Sequence, residues 1–186
     1  TDSESGVYRT VRGKTPDIIF RMPNQKSPTV EILSRSPDRT RQIGTRLGKA
    51  LQTGDVICLQ GDLGAGKTTF VQGIAQGWGS MDAVSSPTFI IVNVYRDAGQ
   101  GQLFHLDAYR LDSVLEAEEL DLNAMLAQGP LIIEWPERME GLIPSENLWV
   151  KLDHVDQEER EMKFIPHGKR YGDLLEVVRH ATVGAD

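Results

Sequence analysis

The chain has a single cysteine, Cys58, set in the apolar run Val56-Ile57-Cys58-Leu59. No intrachain disulfide can form, so the residue reads as a buried, inert thiol of a protein kept in the reducing cytosol. Long apolar runs are missing as well. No stretch approaches the roughly 18 residues that a membrane span needs, and the N-terminal residues lack the charged-then-apolar order of a signal peptide. Neither export nor membrane insertion is expected, and the cytoplasm is the expected compartment. There is no basic excess: 27 acids face 20 bases, for a net charge of −7 and an isoelectric point near 5.1. A surface so acidic cannot hold a polyanion unaided, which argues against stand-alone nucleic-acid binding. Signature motifs are absent too. The N-K-x-D and D-x-x-G patterns of GTPases and the L-S-G-G-Q signature of transporter ATPases do not occur. At 186 residues the chain suits one domain and is too short for a ring-forming ATPase with an added lid.

What is present is organised unevenly. Residues 1–36 carry six bases against four acids, whereas the other 150 carry 14 against 23. Residues 1–29 are poor in apolar side chains and broken by Pro16, Pro23 and Pro28, with only Asp17-Ile18-Ile19-Phe20 hinting at order. They read as a flexible extension in front of a domain spanning 30–186. From Val30 the pattern is regular. Residues 30–33 suit a short strand, and Ser36-Pro37-Asp38 reads as helix cap, helix-compatible proline and first-turn acid. Ile43, Leu47 and Leu51 then recur at helical spacing, with Gly54 as the expected stop. Further strands are expected at 55–60, 89–95, 102–107, 131–134, 148–153 and 161–165, and helices at 67–78, 113–128 and 171–180. This order predicts a single α/β domain whose mixed sheet is parallel at its centre and flanked by helices.

The chemistry concentrates in Gly61-Asp62-Leu63-Gly64-Ala65-Gly66-Lys67-Thr68, which matches G-x-x-x-x-G-K-[ST] between an apolar strand and a helix. Glycines let such a loop aim backbone N–H groups at phosphate oxygens, and the helix N-terminus adds partial positive charge. Lys67 reaches the terminal phosphates and Thr68 offers a hydroxyl to Mg²⁺. A metal site of this type also needs a carboxylate at a strand end, and Asp107 and Glu134 both qualify. Glu134 closes an apolar run before Trp135-Pro136, where an unpaired carboxylate would be costly, so it is expected at the metal. Asp107 shares a strand face with Leu103 and His105 and is expected at the metal or at an attacking water; for either acid a structural salt bridge is the alternative. His105 itself reads as a hydrogen-bonded structural residue rather than a base. Ser85-Ser86-Pro87-Thr88 offers hydroxyls that suit either a switch element or a helix cap. The acids Asp112, Glu116, Glu118, Glu119 and Asp121 suit a solvated helix face or a docking face for a basic partner. A small-molecule kinase shares the size and the loop, yet such enzymes need an Arg-rich lid, and the second half here supplies acids, with bases only at scattered positions such as Lys163, Lys169 and Arg170.

Four ordered motifs together resemble a known family. The loop with Thr69 and Phe70, Ser86-Pro87-Thr88-Phe89, His105-x-Asp107-x-Tyr109-Arg110 and Ile133-Glu134-Trp135-Pro136-Glu137 closely resemble the bacterial TsaE ATPases of tRNA threonylcarbamoyladenosine biosynthesis. The resemblance covers roughly residues 30–180. It implies a P-loop ATPase with ATP as substrate and Mg²⁺ as cofactor. It also implies two protein partners, the threonylcarbamoyl transferase subunit and its paralogous scaffold subunit, with tRNA reached only through their complex. On matching positions, Gly61 through Thr69 would hold the phosphates, Thr68 and Glu134 the metal, and Lys67, Asp107 and Thr88 would serve hydrolysis. Thr40, in the first helix, resembles a family position beside the base. A nucleotide-gated binding module with negligible turnover is the non-enzyme alternative.

Overall fold

The computed structural model describes residues 7–8, 20–22, 29–84, 91–111 and 113–183. Among these residues nine strands form one mixed sheet: β1 Val7–Tyr8, β2 Phe20–Met22, β3 Val30–Ser34, β4 Val56–Gln60, β5 Val92–Arg96, β6 Gln102–Asp107, β7 Leu131–Glu134, β8 Asn147–His154 and β9 Arg160–His167. Five α-helices accompany them among the described residues: α1 Pro37–Ala50, α2 Lys67–Trp78, α3 Val114–Glu118, α4 Leu122–Leu126 and α5 Lys169–Val183. The strand order is β1-β2-β3-β9-β8-β4-β7-β6-β5. The four central strands β8, β4, β7 and β6 are mutually parallel, and every outer pairing is antiparallel. Phe20, which ends the apolar hint at 17–20, opens β2 and pairs with Ile32.

Burial on both faces explains why the central strands read as unbroken apolar runs. Along β4, Ile57 and Leu59 join the core beneath α1, α2 and α5, together with Ile43, Leu47, Phe70, Ile74 and Leu174. Val56 and Cys58 face the opposite core, which the turn after β6, α3, α4 and the segment after β7 close with Leu111, Ala117, Met125 and Met139. Burial pushes the Cys58 thiol up to about 12, so it stays protonated and unreactive.

Local chemistry sets the helix limits. Ser36 caps α1, its hydroxyl accepting from the Arg39 N–H at 3.2 Å, with Pro37 in the first turn. The helix ends at Ala50 rather than near Gly54, because Leu51 turns to extended backbone to bury its side chain. The expected strand at 55–60 accordingly starts at Val56. Asp55 is instead a buried brace, accepting from the Gln52 N–H at 2.8 Å and from the Arg170 guanidinium at 2.6 and 3.0 Å. The single helix expected over 113–128 is two short ones. Asp121 accepts from the Ala124 N–H at 2.9 Å, so a capping side chain ends one helix and starts the next. α1 and α2 meet backbone to backbone: a Cβ on Gly48 would land on the Ile74 carbonyl oxygen. The phosphate-loop helix is therefore braced along its length. No helix among the described residues is long and apolar enough to cross a membrane.

Candidate nucleotide site

Parallel register builds the site. Because β4, β7 and β6 run the same way, their C-terminal ends lie side by side, with Leu59 opposite Glu134 and Glu134 opposite Asp107. The loop 61–66 leaves β4 at that edge and turns into α2 through Gly66, whose φ of +100° suits a residue without a Cβ. Gly66 has no side chain to occupy the first-turn N–H groups of α2, and that turn carries no acid. These N–H groups and the helix dipole therefore remain available to an anion. Leu63, Gly64, Gly66, Lys67, Thr68 and Thr69 line a cleft of about 460 Å³. Asp107, Tyr109, Arg110, Glu134, Trp135 and Arg160 complete it.

The buried cation at the cleft is Lys67, 6% exposed. Its Nζ donates to the carbonyls of Gly61 at 2.6 Å and Asp62 at 3.0 Å, and lies 4.4 Å from the Trp135 ring centroid. Burial lowers its pKa, while the charges of Glu134 and Asp107 pull it back up. Trp135 holds φ +57°, a left-handed conformation rare for a bulky residue and costing about 1–2 kcal/mol. Pro136 and the short 3-10 turn that follows fix that bend, and the indole packs against Tyr109 with ring centroids 5.1 Å apart. The strained residue therefore forms a wall of the cleft beside the lysine.

Two carboxylates face this cation in different settings. Asp107 caps the turn after β6, accepting from the Tyr109 N–H at 3.1 Å, with the Arg110 Nε at 3.8 Å. Burial raises its pKa and the Glu134 charge adds to the rise, while the Tyr109 N–H and Arg110 oppose it. Glu134 is 6% exposed, and its Oε1 lies 2.9 Å from Nε2 of the fully buried His105. The His105 Nδ1 lies 3.1 Å from the Tyr95 hydroxyl. Burial, helped by the Glu134 charge, pushes the Tyr95 phenol up to about 12, so it keeps its proton.

The structure thus brings Lys67, Thr68, Asp107 and Glu134 into one cleft. Gly61 and Asp62 serve it as carbonyl partners of Lys67, and Ala65 packs its methyl into the core. Thr40 is not among the lining residues. It is buried, with its hydroxyl 2.8 Å from Ser34 Oγ and 3.3 Å from the Ser36 carbonyl, where it ties α1 to the end of β3. Thr88 and Ser86 lie outside the described residues. Arg160 was not legible from sequence. It opens β9, its Nη1 donates to the carbonyls of Asp156, Gln157 and Glu159 in the β8–β9 hairpin, and its Nη2 lies 3.4 Å from the Gly64 carbonyl. A lone arginine 96 positions from the loop carries no local signal, and the hairpin alone delivers it.

A strand, glycine-rich loop and helix at the edge of a centrally parallel sheet, with lysine, hydroxyl and carboxylates converging on it, define a P-loop protein. The family model described as threonylcarbamoyl adenosine biosynthesis protein TsaE matches residues 34–162, and the chain belongs to that family. Among curated relatives, the tRNA threonylcarbamoyladenosine biosynthesis protein TsaE of Bacillus subtilis is 39% identical over 80% of this chain and 93% of its own length. The protein of the same name from Streptomyces coelicolor is 39% identical over 77% of this chain and 88% of its own. The crystal structure of Bacillus subtilis YdiB superposes with a TM-score of 0.70 at 34% identity, covering 82% of this chain and 95% of that one.

Proposed function

We propose that this chain is a Mg²⁺-dependent ATPase subunit, supporting turnover of the machinery that makes tRNA N6-threonylcarbamoyladenosine. The observation that carries the reading is the cleft in which Lys67, Thr68, Asp107 and Glu134 converge, in a chain of this family. The loop amides and the α2 N-terminus hold the phosphates of ATP, and Lys67 exchanges its two carbonyl partners for phosphate oxygens. Thr68 and Glu134 hold Mg²⁺. One hydroxyl and one carboxylate would suit that ion, which takes most of its other ligands from water and phosphate. Bound there, the ion supplies charge neutralisation on the phosphates. Asp107, with its pKa raised, is suited to accept a proton from the attacking water. Thr88 serves the same step.

The partners are the threonylcarbamoyl transferase subunit and its paralogous scaffold subunit, in the cytoplasm. So acidic a chain is expected to bind tRNA poorly by itself, and tRNA enters through that complex. Alone, the chain hydrolyses ATP slowly, because Arg160 spends its guanidinium on main-chain carbonyls and transition-state charge stays partly unneutralised. Multiple-turnover threonylcarbamoylation in a reconstituted mixture tests the proposal. Product in excess of the complex is expected only with this chain present. Equal yield without it, at saturating ATP, would remove the proposed role and restore the small-molecule kinase.

A further inference from the structure

We infer that Tyr95 and His105 are positioning residues, a buried relay that fixes the carboxylate of Glu134 in the orientation the nucleotide site uses. The inference rests on the reading of Glu134 as the metal-holding carboxylate. Three adjacent strands each supply one member: Tyr95 from β5, His105 from β6 and Glu134 from β7. Their exposures are 4%, 0% and 6%, and the two links measure 3.1 and 2.9 Å.

Donor accounting gives the chain a direction. A carboxylate can only accept, so Nε2–H donates to Glu134 Oε1, and in that tautomer Nδ1 accepts from the Tyr95 hydroxyl. Both ring nitrogens are then satisfied, and the second oxygen of Glu134 is left for the cleft that it lines. Neighbours on the same face of β6 and β7, Leu103 and Ile132, are buried and apolar. Burying a phenol and an imidazole here costs more than the aliphatic side chains that surround them, and a packing role needs neither polar group. What the pair supplies is a fixed carboxylate, in the way that outer hydrogen bonds orient the groups that hold a metal. The strand pairing makes this possible. A residue on β5 reaches a carboxylate on β7 only because β6 lies between them with an imidazole on the shared face.

The experiment compares ATP affinity in Mg²⁺ with affinity in EDTA by titration calorimetry, for the full chain and its variants, with melting curves as the check on folding. His105→Leu is expected to cut the Mg²⁺-dependent gain in affinity by about tenfold or more, with affinity in EDTA unchanged. His105→Gln, whose amide can still donate to Glu134, is expected to recover most of that gain. Tyr95→Phe, which deletes one oxygen, is expected to lose part of the gain and carries the test if His105→Leu fails to fold. In the free protein, imidazole ¹⁵N shifts should report the Nε2–H tautomer. A full Mg²⁺ gain in His105→Leu and Tyr95→Phe, beside its loss in Glu134→Gln, would overturn the relay and leave the metal reading standing. Equal losses in Mg²⁺ and EDTA would reduce the pair to packing and overturn it too. If Glu134→Gln itself keeps the gain, the metal reading falls and the relay with it.

Discussion

Replacing Lys67 by alanine separates what the residue does for the fold from what it does for the ligand. In the free protein its Nζ makes two carbonyl hydrogen bonds and a cation–π contact. Each hydrogen bond comes from a charged group and contributes about 1.5–3 kcal/mol, and the cation–π contact about 0.5–2 kcal/mol. Against them stands a cost of several kcal/mol for burying the ammonium, the same burial that lowers the lysine pKa. These terms oppose each other, so Lys67→Ala should stay within about 1 kcal/mol of wild-type stability, a melting shift of about 2–4 °C for a domain of this size. Nucleotide binding has no such cancellation. A charge-assisted hydrogen bond to a phosphate contributes about 1.5–3 kcal/mol, or roughly 10- to 150-fold in affinity. Because the lysine must release Gly61 and Asp62 to make it, the lower part of that range is expected, about 10- to 50-fold. Calorimetric titration with ATP and Mg²⁺, paired with a thermal melt, reads both quantities. An affinity within about twofold of wild type would refute the assignment of Lys67 to the phosphates, and a melting loss above about 10 °C would show that the lysine is a structural keystone instead.

Three further outcomes are expected. Gly48→Ala must push α1 away from the Ile74 carbonyl, and overpacking of about 1–3 kcal/mol outweighs the gain of about 1 kcal/mol in helix propensity. Its melting temperature should fall by a few degrees, and a rise would contradict the close helix contact. Asp107→Asn should slow hydrolysis while sparing ATP binding, and it carries a pH signature. The carboxyl pKa is raised in the folded protein, so its charged form disfavours folding above the ordinary aspartate value of 3.8. The variant should therefore melt at or above wild type at pH 7, with the difference closing as pH falls toward that value; a gap that widens on acidification would reverse the sign. Removing residues 1–28 takes away β1 and β2 but none of the cleft residues. ATP affinity should be unchanged and the melting temperature lowered by less than about 5 °C, and a larger drop would make the segment part of the folding unit.

Sequence by itself determined the features that short-range chemistry controls. The phosphate loop was legible because glycines, lysine and threonine at set spacing between an apolar strand and a helix leave few other readings. β6 and β7 were legible to the residue, because alternation or an unbroken apolar run ended in an acid at Asp107 and at Glu134. Capping of α1 by Ser36 followed from local side-chain geometry in the same way. Competing local choices were harder to read: Leu51 left the helix to reach the core, and Asp121 split one expected helix by capping a second. Partnership across the chain belonged to the tertiary structure alone. Only the parallel register of β4, β7 and β6 sets Asp107 beside Glu134. Only the strand order joins Tyr95 to His105 and His105 to Glu134, and only the β8–β9 hairpin carries Arg160 back to Gly64. Local patterns record the conformation of neighbouring residues, whereas these contacts depend on which strands pair, a choice set by burial over the whole domain.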